Sequence, residues 1–140
     1  MRRAVFVDRD GTIIEERGYL GRLDLIAPFP YTADARARLR RAGYLVVVVT
    51  NQAGVARGYF SESFVNEAHR HLDTLLAPQG AAPDAYYFCP HHPEGVVEGY
   101  RVVCRCRKPS PGMVEQAARD WDIDLSRSFV VGDKWLDVGL

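Results

Sequence analysis

No charge of either sign predominates in this 140-residue chain, in which 18 Lys and Arg stand against 18 Asp and Glu. A face that binds nucleic acid needs an excess of basic residues, so no nucleic-acid partner is expected. Long hydrophobic runs are missing as well. The N-terminal MRRAVFVDRDG sets two arginines before a short apolar stretch, too brief for the core of a signal peptide or for a membrane span. A cytoplasmic location without membrane attachment is expected. There is no internal repeat and no low-complexity linker, and the length suits one domain over residues 1–140. Cysteine is scarce. Only Cys89, Cys104 and Cys106 occur, an odd number that no disulfide scheme can use completely. Reduced thiols clustered in a cytosolic chain point instead to metal binding or catalysis.

What is present is a hydrophobic fraction of 47%, ample for a core, arranged as apolar runs that alternate with helical patterns. Strands are expected at residues 4–7, 45–49, 85–88 and 129–131. The run LVVVV at 45–49 has no polar alternation, as in a parallel strand covered on both faces. Helices are expected at 33–42, where Gly43 supplies a stop, at 63–77 with Ser61 or Ser63 as cap, and at 110–121 with Ser110 as cap and Pro111 in the first turn. This rhythm implies an α/β fold, a doubly wound and mainly parallel sheet with helices on both faces. Such sheets bind ligands beyond the carboxyl ends of their strands.

Polar residues gather at that edge. Asp8 and Asp10 follow the first strand, Thr50, Asn51 and Gln52 the second, the cysteine stretch the third, and Asp133 and Asp137 the fourth. Two carboxylates as close as Asp8 and Asp10 repel unless a cation lies between them or one holds a proton. Asp133 and Asp137 lie four apart, so one helical turn would bring them together. Oxygen ligands of this kind suit Mg²⁺. Lys108 and Thr50 are candidates to hold phosphate oxygens.

The segment CPHHPEGVVEGYRVVCRCRKP, residues 89–109, holds every cysteine and two of the four histidines. Cys89, Cys104, Cys106 and one histidine make a Cys₃His set suited to structural zinc. His91 is preferred to His92 because its spacing from Cys89 mirrors that of Cys104 and Cys106. The alternative is a set of unliganded thiols beside a surface histidine. A metal would fix the shape of a long loop and so place Arg107 and Lys108.

Taken in order, DRDGT at residues 8–12, VVTNQ ending at Gln52, RKP with Lys108, and GDKWLD with Asp133 and Asp137 resemble the four motifs of the haloacid dehalogenase superfamily of phosphotransferases. The resemblance implies a capless haloacid dehalogenase-like fold and phosphatase activity. It makes Asp8 the nucleophile and Asp10 the general acid and base. Thr50 and Lys108 would steady the phosphoryl group, and Asp8, the Asp10 carbonyl and Asp133 would hold Mg²⁺. The zinc-loop pattern with TNQAGVARGYF is similar to one family within it, the heptose-1,7-bisphosphate 7-phosphatases of lipopolysaccharide core synthesis. That similarity implies a sugar phosphate as substrate. It adds Glu16, Arg17, Gly18, Tyr19, Asn51, Gln52, Ala53 and Arg107 as substrate contacts, Arg107 on the uncleaved phosphate or the sugar. A histidinol-phosphate phosphatase is the second reading, and a non-catalytic zinc module for a protein or nucleic acid is the reading from another class.

Other residues carry plainer expectations. His69 and His71 are read as surface, and Tyr86, Tyr87 and Phe88 as core or sheet edge. Arg57 is read either as a solvated loop residue or as a second phosphate contact. The superfamily continues past its fourth motif with a helix and a strand, so the chain is expected to be a fragment or unusually short. The fourth strand would then be an edge. A full-length form is expected to be a monomer.

Overall fold

The structure, a computed structural model, describes residues 1–132. Asp133 and Asp137 lie outside the described residues. Four parallel strands form one sheet: β1 (Arg3–Val7), β2 (Tyr44–Asn51), β3 (Ala85–Cys89) and β4 (Phe129–Val131), in the order β3-β2-β1-β4. Three helices connect them, α1 (Thr32–Arg41), α2 (Glu62–Leu76) and α3 (Gly112–Trp121). The sheet is thus parallel with helices between its strands, as the sequence rhythm implied.

Successive strand residues point to opposite faces, and two cores follow from that alternation. On one face, Val5 and Val7 of β1 and Val46 and Val48 of β2 pack with Ala68, Leu72 and Leu76 of α2. On the other, Ala4 and Phe6, with Val47 and Val49, pack with Met113, Val114 and Ala117 of α3. Both sides of β2 are buried, which is why its sequence shows no polar alternation.

Local signals set the helix ends. Ser61 caps α2, its hydroxyl accepting from the Phe64 amide at 3.1 Å. Gly43 follows α1 at φ +87°, in the left-handed region where glycine is at ease. Ser110 does not cap α3. The helix begins two residues later than expected, with Pro111 at the cap position and no side-chain cap bond. The preceding chain turns back on itself instead, the Ser110 amide donating to Arg107 and the Gly112 amide to Arg105. Among the described residues β3 and β4 are the two outer strands, and Phe129, Val130 and Val131 of β4 are all exposed. Among them, too, no helix is long and apolar enough to cross a membrane.

The packing predicts a sharp contrast between two truncations. Phe6→Ala, at a fully buried site between β1 and α3, should cost about 3–5 kcal/mol in urea denaturation. Val103→Ala, at a position 87% exposed, should stay within about 0.5 kcal/mol.

Candidate active site

The site begins where β1 stops. Gly11, at φ +83°, reverses the chain so that the Arg9 carbonyl accepts from the amides of Thr12, Ile13 and Ile14. This tight turn fixes Asp8, Arg9 and Asp10 at the carboxyl edge of the sheet. The Asp8 amide donates to the Val131 carbonyl at 3.1 Å, which ties the same point to β4.

Each carboxylate has its own cation. Lys108 Nζ lies 3.1 Å from Asp8 Oδ1, with both side chains almost fully buried. Arg9 Nε and Nη2 donate to the two oxygens of Asp10, each at 3.1 Å. Gln52 links this pair to β2, its Nε2 donating to Asp10 Oδ2 at 3.2 Å and to Thr50 Oγ1 at 2.9 Å. Asn51 holds the other side. Its Oδ1 accepts from the Lys108 amide at 2.9 Å and its Nδ2 donates to the Lys108 carbonyl at 3.3 Å. Asp8, Asp10, Thr50 and Lys108 therefore converge, and Asn51 and Gln52 are the brackets between them.

Residues 90–111 form the long connection from β3 to α3. Cys89 at the end of β3 draws together with His91, Cys104 and Cys106 of this connection, every candidate ligand atom within 4.8 Å of the others. Cys89 Sγ is 3.4 Å from Cys104 Sγ, and His91 Nδ1 is 3.3 Å from Cys106 Sγ. His92 is not in the set. Burial, with the neighbouring thiols, pushes the Cys89 thiol pKa up. A buried thiolate there needs a nearby cation to be stable, and three sulfurs with one imidazole nitrogen are a donor set that fits zinc. The loop also leans on the segment after β2. The amides of Val96 and Val97 both donate to the Ala56 carbonyl, and a Cβ at Gly95 would lie 2.7 Å from that of Ala56.

Arg57 and Arg107 meet near His92. Arg57 Nη2 lies 3.4 Å from His92 Nε2. Burial and the two cations lower the His92 pKa, Arg107 more than Arg57. Arg57 Nε and Arg107 Nη1 are buried without a hydrogen-bond partner among the described residues. Glu16, Arg17, Gly18 and Tyr19 lie on an exposed loop. The Gly18 amide donates to Glu16, Arg17 pairs with Glu15, and Tyr19 stacks edge-on against Tyr59 at 4.8 Å. Tyr59 belongs to the same post-β2 segment as Ala53, so these two loops touch.

Two residues escaped the sequence reading. Arg9, between the aspartates, is only 2% exposed. His69 is not on the surface. It lies on the buried stripe of α2 with Val65, Ala68, Leu72 and Leu76, its Nε2 3.2 Å from Arg9 Nη1 and its ring stacked on Tyr86 at 4.3 Å. The i, i+3, i+4 spacing from Val65 to Leu72 was the available signal. His71, two residues on, is half-buried. Tyr86, Tyr87 and Phe88 are half-buried on β3, an outer strand among the described residues, as expected.

Comparison with known proteins adds a family. A family model described as HAD-hydrolase-like matches residues 105–140. The chain is 47% identical over 137 residues to D-glycero-beta-D-manno-heptose-1,7-bisphosphate 7-phosphatase of Rhodopseudomonas palustris, spanning 98% of this chain and 76% of that protein. With the enzyme of the same name from Escherichia coli K12 it shares 44% over 135 residues, spanning 96% and 71%. Among solved structures, a putative HAD-like phosphatase from Mesorhizobium loti superposes with a TM-score of 0.93 at 39% identity, over 99% of this chain and 66% of that one. The D,D-heptose 1,7-bisphosphate phosphatase of B. bronchiseptica, complexed with magnesium and phosphate, gives 0.84 at 36%, over 98% and 73%. The chain thus spans 66% to 76% of the length of these relatives.

His69 generates a prediction about acid stability. Burial, then the Arg9 cation, lower its pKa from 6.5 to about 3. Tyr86, stacked on it, stays neutral because burial and its bond to Asp73 raise its own pKa. With the folded pKa below the unfolded one, the unfolded chain binds the extra proton between these values. The stability tied to His69 is therefore complete above pH ~6.5 and is lost as the pH falls toward ~3, with a slope of up to about 1.4 kcal/mol per pH unit. Denaturation at pH 7, 6 and 5 should show a shallower decline for His69→Phe than for the parent, and parallel declines would exclude His69 as the titrating group.

Proposed function

The chain belongs to the HAD-like phosphatases, in the group of the heptose-1,7-bisphosphate 7-phosphatases, and from that premise we propose that it removes the 7-phosphate of D-glycero-D-manno-heptose 1,7-bisphosphate through an aspartyl-phosphate on Asp8. The observation that carries this reading is the buried contact between Lys108 Nζ and Asp8 Oδ1, with Asp10 and Thr50 beside it. A nucleophilic carboxylate must meet a phosphate dianion, and only a site rich in positive charge permits that approach.

Asp8 attacks phosphorus. Lys108 and the Thr50 hydroxyl steady the phosphoryl oxygens. Asp10 gives a proton to the leaving sugar alkoxide and then takes one from the water that hydrolyses the intermediate. The acidic oxygen donors at the end of β1 fit a hard divalent ion. Asp8 and the Asp10 carbonyl would hold Mg²⁺, together with Asp133 outside the described residues. When bound, the ion supplies charge neutralisation at the phosphate and the nucleophile. The magnesium and phosphate named for the B. bronchiseptica structure support this choice.

Cys89, His91, Cys104 and Cys106 would hold a zinc with a structural role. It would close the loop whose end delivers Arg107 and Lys108. Reduced thiols in such a site agree with a cytoplasmic location. Glu16, Arg17, Gly18, Tyr19, Asn51, Gln52 and Ala53 are assigned to the substrate's sugar or its phosphates. The second phosphate falls to Arg107, with Arg57 beside it, because each guanidinium has a buried nitrogen in need of a partner. Two such cations favour a bisphosphate over histidinol phosphate. A non-catalytic zinc module is not favoured, since the named relatives are phosphatases.

Asp8→Asn should keep the fold and lose catalysis. Mg²⁺-dependent phosphate release is expected below about 1% of the parent, a barrier increase of about 3 kcal/mol. Release above that level would remove Asp8 from the role of nucleophile.

A further inference from the structure

Arg9 fills its hydrogen bonds in two directions. Nε and Nη2 face Asp10, and Nη1 faces His69 Nε2 at 3.2 Å. A guanidinium donates and never accepts, so His69 Nε2 is the acceptor and the ring proton sits on Nδ1. A cationic His69 would lose that acceptor and set a second positive charge against Arg9. The imidazole is clamped in turn. It stacks on Tyr86 with planes 9° apart and meets Phe88 edge-on at 6.1 Å. The Tyr86 hydroxyl donates to Asp73 of α2 at 2.8 Å. A continuous line of contacts, Asp73, Tyr86, His69, Arg9, Asp10, therefore runs from α2 and β3 to the turn after β1.

We propose that His69 is a positioning residue for Asp10: by accepting from Arg9 Nη1 it orients the guanidinium so that Nε and Nη2 hold both Asp10 oxygens in one direction. This rests on the phosphatase reading above. Without the acceptor, Arg9 can rotate, and Asp10 keeps only the Gln52 bond on Oδ2.

The consequence falls on the step in which Asp10 acts as a base. There the water oxygen bonds to phosphorus as the bond from phosphorus to the Asp8 oxygen breaks. The bonding pair returns to the Asp8 carboxylate. One water proton passes to Asp10, and inorganic phosphate leaves. Asp10, held in one direction by Arg9, is placed to receive that proton. An aryl phosphate separates this step from the first, because nitrophenolate departs as an anion and needs no proton from Asp10.

The test is stopped-flow turnover of p-nitrophenyl phosphate with Mg²⁺. His69→Phe keeps a ring against Tyr86 and removes the acceptor, whereas His69→Gln restores an amide oxygen. His69→Phe should release nitrophenolate in a burst approaching one per chain. Its steady state should then be at least tenfold slower than the parent's, with KM falling in step and kcat/KM changed less than twofold. His69→Gln should recover at least a third of the parent rate without a burst. A His69→Phe rate within twofold of the parent overturns the proposal. So do equal losses in both variants with no burst, the mark of general structural damage. Should His69→Phe fail to fold, Arg9→Lys serves in its place. One ammonium cannot span Asp10 and His69, so the same burst is expected, and parental turnover overturns the proposal. Asp10→Asn separates the two levels. Parental turnover in it brings down the acid–base role of Asp10 and the positioning proposal together. A slow Asp10→Asn beside a full-speed His69→Phe brings down the positioning alone.

Discussion

Lys108 and Asp8 are 100 residues apart in sequence and 3.1 Å apart in space, both almost shielded from water. Stripping two charges of solvent is costly, and leaving either one buried alone costs more still, about 3–5 kcal/mol. The pair is therefore a constraint that the surrounding chain has to satisfy. The sheet satisfies one half by ending β1 at Asp8 and tying the Asp8 amide to β4. The β3–α3 connection satisfies the other. Asn51 at the end of β2 grips the Lys108 backbone at both amide and carbonyl, while the Cys₃His cluster gathers the chain just before it.

A division of labour follows from the two cations. Asp8 and Asp10 sit close enough to repel. Asp8 faces Lys108, delivered by the loop, while Asp10 faces Arg9, anchored by His69 beneath the sheet edge. Gln52 joins the halves through Asp10 and Thr50. Opposite faces of the sheet thereby support the two carboxylates. The α2 side supplies His69 against Arg9, and the α3 side supplies the loop that carries Lys108.

Much of this was legible in the sequence, for physical reasons. A parallel strand buried on both faces must be apolar throughout, so 45–49 announced itself. The carboxyl-edge rule then collected Asp8, Asp10, Thr50 and Lys108 before any geometry was known. The Cys₃His spacing gave the cluster. What stayed hidden were contacts across the fold. The spacing of His69 and His71, two apart, does not show that His69 falls on the apolar stripe of α2. Arg9 is not legible because an arginine beside an aspartate usually reaches solvent, and nothing local shows that this one is buried against His69 of α2. Ser110 before Pro111 has the chemistry of a helix start, but backbone bonds from Ser110 to Arg107 and from Gly112 to Arg105 claimed that turn first. Backbone bonds within the loop overrode the preference of a single side chain.

In the proposed reading, a metal that takes no part in the chemistry sets the position of the cation at its centre. The direct test is to strip the protein of metal, restore saturating Mg²⁺, and titrate Zn²⁺ while following phosphate release and bound metal together. Activity should be low with Mg²⁺ alone and rise in step with bound zinc, levelling at one equivalent per chain. Full turnover in zinc-free protein at saturating Mg²⁺ would contradict it, for then Lys108 would reach Asp8 without the loop being closed.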